Sequence, residues 1–139
     1  MRILGLDIGD KRIGIAVSDE LEIISTPLGV IENDEKVGEK IRGIINKNNI
    51  KKVVVGMPYT LKGSVGDQAR KTIGFVESTI KNMNVEVDYI DERYTTKIPL
   101  KLFAKHSKKK VLDKFSAGII LEDYLRRKKG KIKNAKKYI

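Results

Sequence analysis

The order of predicted secondary-structure elements limits the possible folds of this chain more than any other feature. Short runs rich in Ile, Leu and Val are predicted to be strands, and the first three of these strands follow one another with only turn residues between them. Later strands alternate with segments whose apolar residues recur at helical spacing. The predicted strands cover residues 2–8, 12–18, 22–31, 51–57 and 85–90. This order predicts an α/β fold with a mixed five-stranded sheet, an antiparallel meander followed by parallel strands, and helices on both faces.

The predicted helices cover residues 34–48, 67–81, 95–104 and 111–128. Asn33 or Asp34 is expected to cap the first of them. Pro27 lies inside the third strand, which predicts that this strand is at a sheet edge or carries a bulge. With 139 residues, the chain has the size of one domain. We expect that domain to span residues 1–128, with 129–139 as a basic C-terminal tail.

The types of residue that are missing exclude several kinds of chemistry. The chain has no cysteine, so disulfides, zinc–thiolate sites, iron–sulfur clusters and thiol nucleophiles are excluded. The only histidine is His106, which disfavours mechanisms based on imidazole. Any bound metal would therefore have oxygen ligands, and such ligands favour magnesium or manganese over zinc or copper.

Positive charge is concentrated in the last third of the chain. The formal net charge is +11, and residues 101–139 alone hold 14 basic and 3 acidic side chains. A basic region beside a nearly neutral body indicates a polyanionic partner, although a solvated tail that only aids solubility has the same composition. The candidate nucleic-acid contacts are Lys11, Arg12, Lys62, Arg93, Lys108, Lys109 and Lys110.

Two features of the sequence bear on cellular location. No apolar run approaches the ~20 residues that span a bilayer. The opening MRILGLDIG lacks the charged and then apolar pattern of a secretory signal. A cytoplasmic protein is therefore expected.

Three acidic residues fall where an active site is expected. Asp7 lies near the end of the first strand, Glu92 lies just past the last strand, and Asp113 lies in the first turn of the last helix. Ligand sites in such sheets lie beyond the carboxyl ends of the parallel strands. Carboxylates that converge there repel one another unless a cation lies between them, and two divalent ions would supply both that cation and phosphodiester chemistry.

Each acid also has a purely structural interpretation. Asp7 could bind the turn amides that follow it, and Glu92 could pair with Arg93 or Lys97 at the surface. Asp113 is also the kind of acid that the dipole favours at a helix N-terminus. Spacing alone leaves these alternatives open.

Four segments together resemble the YqgF family, also called RuvX. They are LDIGDKRIGIAVSD, VVVGMPYTLKGSVGDQA, VDYIDERYTT and KKKVLDKFSAGIILEDYL, and the resemblance runs from about Arg2 to about Arg127. It implies a ribonuclease H-like fold similar to that of RuvC-type resolvases, with Asp7, Glu92 and Asp113 as catalytic and metal-binding residues. The family's glycine–proline motif appears here as Gly56-Met57-Pro58. Tyr94 and Pro99 depart from the family pattern.

The resemblance also implies a function, namely a nuclease that matures the 5′ end of pre-16S ribosomal RNA. We expect it to use Mg²⁺ or Mn²⁺, as a pair of ions. Holliday junction resolution on DNA and non-catalytic binding of nucleic acid in ribosome assembly or transcription stay open as alternatives. A sugar-kinase-like or actin-like ATPase also shares the opening DIGDKRIG pattern. Such proteins need two domains of this kind, and 139 residues hold only one.

Overall fold

The computed structural model describes residues 1–92 and 115–128. The strands are β1 (Ile3–Ile8), β2 (Arg12–Ser18), β3 (Ser25–Glu32), β4 (Lys52–Met57) and β5 (Glu86–Asp91). The helices are α1 (Val37–Lys47), α2 (Asp67–Phe75) and α3 (115–128). A π-helical turn, Val76–Ile80, and a 3-10 turn, Lys81–Met83, continue α2. None of the helices in these two ranges is long and apolar enough to span a membrane.

The five strands form one mixed sheet in the order β3-β2-β1-β4-β5. The pairs β1–β2 and β2–β3 are antiparallel, whereas β4 runs parallel to both β1 and β5. The predicted mixed sheet, a meander followed by parallel strands, is therefore confirmed. Because β1, β4 and β5 are parallel, their carboxyl ends lie along one rim of the sheet.

Helices cover both faces of the sheet, as predicted. Side chains alternate between the faces along a strand, so Leu4 and Leu6 of β1 point to one face and Ile3 to the other. The first face packs against α1 and against α2 with its continuation, and its buried contacts include Ile41 and Ile80. The second face packs against α3, whose inward residues are Ala117, Ile120, Leu121 and Leu125.

The third strand differs from its prediction at one end. It begins at Ser25 rather than at residue 22, because the carboxylate of Asp19 accepts hydrogen bonds from the backbone N–H groups of Ile23 and Ile24 at 2.7 and 2.8 Å. These bonds hold the preceding residues in a loop. The edge position and the bulge inferred from Pro27 are both confirmed, since β3 is the outer strand and its register shifts beside that residue.

The first helix also begins later than predicted, at Val37, and its N-cap residue is Lys36. The capping prediction was wrong because both candidate residues have other partners. The side-chain amide of Asn33 donates to the Gly9 carbonyl at 2.9 Å. The carboxylate of Asp34 accepts from the Lys36 backbone N–H at 3.0 Å. Asn33 thus links the start of the helical layer to the turn between β1 and β2. The predicted helix 95–104 and the tail 129–139 lie outside the described residues.

Candidate active site

Asp7 interrupts an otherwise apolar strand at the rim of the sheet. The other residues of β1 are buried, whereas Asp7 is partly exposed. It pairs with Gly14 of β2 and shares the face that α3 covers, because it is an even number of residues from Ile3. The neighbouring Gly14 has no side chain to cover the carboxylate. Asp7 is therefore held by a rigid strand but remains open to a ligand.

Glu92 reaches the same rim from the other end of the sheet. It follows β5 directly, and β5 lies next to β4, which in turn lies next to β1. The side chain of Glu92 shares a hydrogen bond with that of Asp7. The structure thus brings together two acids that are far apart in sequence, as the sequence reasoning expected. Surface pairing as the only contact of Glu92 is excluded.

The proximity of the two acids changes how Glu92 titrates. Burial raises the pKa of Glu92 from 4.5 to about 7, with repulsion from Asp7 and their shared hydrogen bond as further causes. Asp91 adds a smaller repulsion in the same direction. At neutral pH, the metal-free pair therefore holds a shared proton for part of the time. A cation bound between the two carboxylates would offset their repulsion and favour the ionised form of both.

An open cleft of about 310 Å³ begins at Asp7 and extends along the turn between β1 and β2. Its lining includes two predicted nucleic-acid contacts, Lys11 and Arg12, together with Gly9, Asp10, Gly14 and Gln68. The turn is fixed by the Gly9 N–H donating to the Arg12 carbonyl at 2.9 Å. The cleft therefore combines two carboxylates, those of Asp7 and Asp10, with two cationic side chains at this turn.

The donor set of this site suits a hard divalent cation. Carboxylate oxygens are the ligands that Mg²⁺ and Mn²⁺ prefer. The carboxylates of Asp7 and Glu92 are already in contact, and a cation between them would remove their electrostatic repulsion. Within residues 1–92 and 115–128, no three acidic or imidazole side chains are grouped so that they could hold one metal ion. The third predicted ligand, Asp113, lies outside the described residues.

The remaining predicted contacts are more dispersed. Lys62 is exposed in the loop between β4 and α2 and is not among the residues that line the cleft. This loop is shaped by Thr60 and Ser64, whose side chains share a hydrogen bond of 2.6 Å, and by Gly63 with a φ of 83°. Other predicted contacts lie outside the described residues, namely Arg93, Lys108, Lys109 and Lys110.

Sequence reasoning missed Gln68, which lines the cleft across from the β1–β2 turn. A signal was available, because α2 begins soon after the carboxyl end of β4 and so must start near the same rim.

A group of contacts that the sequence did not predict lies farther along the edge strand β5. The Tyr124 hydroxyl donates to Asp88 at 2.9 Å, and the Lys52 ammonium lies 5.5 Å from the centre of the tyrosine ring. These contacts join α3 to β4 and β5.

Comparison with known sequences identifies one family. The model of the family described as "RuvX: Holliday junction resolvase" matches residues 1–127. A protein of Sulfurihydrogenibium sp. (strain YO3AOP1) is 49% identical over 132 residues, which are 91% of this chain and 90% of the relative. A protein of Desulforudis audaxviator (strain MP104C) is 39% identical, with 93% and 96% covered. Both carry the name "Putative pre-16S rRNA nuclease".

Comparison with solved structures supports the fold. Thermus thermophilus RuvC in complex with a Holliday junction substrate matches with a TM-score of 0.60 and 12% identity, covering 94% of this chain and 96% of that one. A second structure of Thermus thermophilus RuvC matches with a TM-score of 0.59, also at 12% identity, covering 94% and 97%. These likenesses confirm the predicted ribonuclease H-like sheet.

Proposed function

The chain belongs to the RuvX family, and from that premise we propose that it is a metal-dependent nuclease that matures the 5′ end of pre-16S ribosomal RNA. The observation that carries the proposal is the contact between Asp7 and Glu92 beside a cleft that Lys11 and Arg12 help to line. The names of its relatives supply the RNA substrate. As a processor of ribosomal RNA, the protein would act in the cytoplasm.

Three carboxylates are proposed to hold two metal ions, which would be Mg²⁺ or Mn²⁺. Asp7 and Glu92 would be ligands from two strand ends, and Asp113 would be the third. When bound, such ions activate water and neutralise charge on the scissile phosphate and the leaving oxygen. The set needs no histidine or cysteine, which agrees with the composition of the chain.

The side chains around the carboxylates have separate tasks in this proposal. Asp7 and Glu92 give up their shared proton as the site is loaded, so both present charged oxygens. Lys11 and Arg12 contact phosphates of the nucleic acid that enters the cleft, and their rigid turn sets the register of the strand over the carboxylates. Gln68 lines the cleft beside them and is available for a hydrogen bond to the substrate.

Further contacts are proposed outside the cleft. Lys62, Arg93, Lys108, Lys109 and Lys110 would extend the phosphate-binding surface. The basic residues 129–139 would form a tail beyond the nuclease domain, 1–128, and would add affinity that does not depend on RNA sequence. Assembling ribosomal particles are the expected setting for such contacts.

The test is cleavage of precursor 16S RNA in Mg²⁺ by the wild type, by Asp7→Asn and by a matched control, Asp10→Asn. Asp10 lines the same cleft, but its carboxylate pairs with Lys71 at 3.5 Å and lies outside the proposed ligand set. We expect Asp7→Asn to lower the cleavage rate at least about a hundredfold while RNA affinity is retained. Loss of a residue that only orients a metal ligand lowers activity roughly 10–100-fold, so loss of a ligand itself should lower it further. Wild-type cleavage by Asp7→Asn would refute the mechanism.

A second candidate is resolution of four-way DNA junctions, which the description of the matching family favours. The chemistry would be the same, but symmetric cleavage of a junction needs two active sites and therefore a dimer. Synthetic junctions incubated beside precursor RNA separate the two substrates. Preferential cutting of junctions by a stable dimer would favour the second candidate. Salt-sensitive binding of either substrate without metal-dependent cleavage would instead indicate a non-catalytic binding factor.

A further inference from the structure

Gly56 occupies a position where glycine is unfavourable for the strand itself. It is the next-to-last residue of β4, is buried, and pairs with Ile90 of β5. A glycine inside a strand is less favourable than alanine by up to about 1 kcal/mol, because more backbone freedom is lost on folding. Its φ angle is not in the left-handed region, so the backbone does not require glycine. The reason for glycine must therefore lie in the space beside it.

The Glu92 carboxylate fills that space. A methyl group at position 56 would point to the α3 face and would overlap Glu92 Oε1, with the Glu92 carboxyl carbon 3.1 Å away. The register of the sheet explains this contact. Gly56 follows Val55, which pairs with Leu6 of β1, so the next step along the two strands places Gly56 beside Asp7. The Glu92 side chain therefore crosses Gly56 to reach Asp7.

A second neighbour shares the space. The same methyl group would lie 2.6 Å from Ile120 Cδ1 of α3, so helix packing is the alternative reason for the glycine. Both neighbouring atoms are ends of flexible side chains, and both can move without moving the backbone. Gly5 differs in this respect. A methyl group there would lie 2.9 Å from Leu121 Cβ and 3.2 Å from the Ala117 carbonyl, so α3 itself would have to shift.

We propose that Gly56 is a positioning residue for the nuclease site, because its missing side chain is the space through which the Glu92 carboxylate reaches Asp7. The inference rests on the proposed function. Alanine at position 56 would leave the fold in place but would displace the Glu92 carboxylate, and a displaced ligand weakens metal binding and misplaces the reacting groups.

The first experiment measures this contact without metal. Urea unfolding in EDTA is compared for Gly56→Ala in three backgrounds, namely wild type, Glu92→Ala and Ile120→Val. We expect the loss of stability caused by Gly56→Ala to shrink by at least about half in the Glu92→Ala background, since coupled neighbours are non-additive. It should persist in the Ile120→Val background. The opposite result would overturn the proposal and assign Gly56 to helix packing. In that case, the loss of stability caused by Gly56→Ala would be unchanged in the Glu92→Ala background and smaller in the Ile120→Val background.

The second experiment measures Mn²⁺ affinity by calorimetry for the wild type, Gly56→Ala and a control, Gly43→Ala in α1, where an added methyl group would meet no atom within 4 Å. We expect Gly56→Ala to bind Mn²⁺ at least about tenfold more weakly, as when a group that orients a ligand is lost, whereas Gly43→Ala should stay within about threefold of wild type. Equal affinity of Gly56→Ala and wild type would overturn the positioning role. If the wild type binds no Mn²⁺, the proposed function fails, and the unfolding cycle still decides whether Gly56 accommodates Glu92.

Discussion

Replacing Glu92 with glutamine should stabilise the metal-free protein above neutral pH. The pKa of Glu92 is raised from 4.5 to about 7 by burial and by the nearby Asp7 carboxylate, so its ionisation is unfavourable in the folded state. At about 1.4 kcal/mol per pH unit, this rise corresponds to on the order of 3 kcal/mol of stability that the ionised form lacks. Glutamine keeps the shape and a hydrogen-bond donor for Asp7 but carries no charge.

The effect should depend on pH with a definite sign. Between about pH 4.5 and 7, the folded protein retains a proton that the unfolded chain has already released. The contribution of Glu92 to stability is therefore complete below this window and is lost as the pH rises through about 7. Urea unfolding in EDTA should show Glu92→Gln close to wild type near pH 4.5. At about pH 8 it should be more stable by up to about 3 kcal/mol.

Two results would show that ionisation of Glu92 does not destabilise the folded protein. One is a difference in the free energy of unfolding between Glu92→Gln and wild type that stays constant from about pH 4.5 to about pH 8. All other carboxylates are common to both proteins, so a pH-dependent difference would have to come from Glu92. The other is a variant less stable than wild type at the upper end of this range in EDTA. Saturating Mn²⁺ provides the control, because an ion that binds only the folded wild type should reverse the order of stabilities.

Three further predictions concern binding and packing. Arg12→Ala should weaken RNA binding and lower the slope of log Kd against log salt by about one, as measured by filter binding over a salt series, if that side chain contacts a phosphate. Tyr124→Phe keeps its ring beside Lys52 but loses the hydrogen bond to Asp88, and urea unfolding should show a loss of at most about 1 kcal/mol. Leu121→Ala removes a fully buried contact between α3 and the sheet and should lower unfolding stability by about 3 kcal/mol.

The sheet could be predicted from the sequence because its strands have a strong apolar signal. Each strand lies within a residue or so of its predicted bounds, apart from the start of β3. That start, and the start of α1, could not be predicted, because each depends on which partner a side chain finds. Asp19 bonds the backbone of a loop, and Asn33 bonds the β1–β2 turn rather than its own helix. Such choices become visible only when distant elements are packed together.

The candidate site could be predicted in part. The rule that ligand sites lie at the carboxyl ends of parallel strands identified Asp7 and Glu92 before their contact was known. The raised pKa of Glu92 could not be predicted, because it depends on burial against neighbouring strands. Gln68 was not predicted as a cleft residue, although the start of α2 soon after the carboxyl end of β4 was a usable signal. Asp113 and the basic residues 108–110 stay predictions from the resemblance and the charge pattern.

Anomalous diffraction from a Mn²⁺-soaked crystal is the sharpest test of a metal site between Asp7 and Glu92, because it locates the ions without reference to activity. We expect one or two manganese peaks between the carboxylates of Asp7 and Glu92, with Asp113 as a further ligand. These peaks should vanish in crystals of Asp7→Asn. Full manganese occupancy elsewhere on the protein, with none between Asp7 and Glu92, would show that these carboxylates are not the metal site.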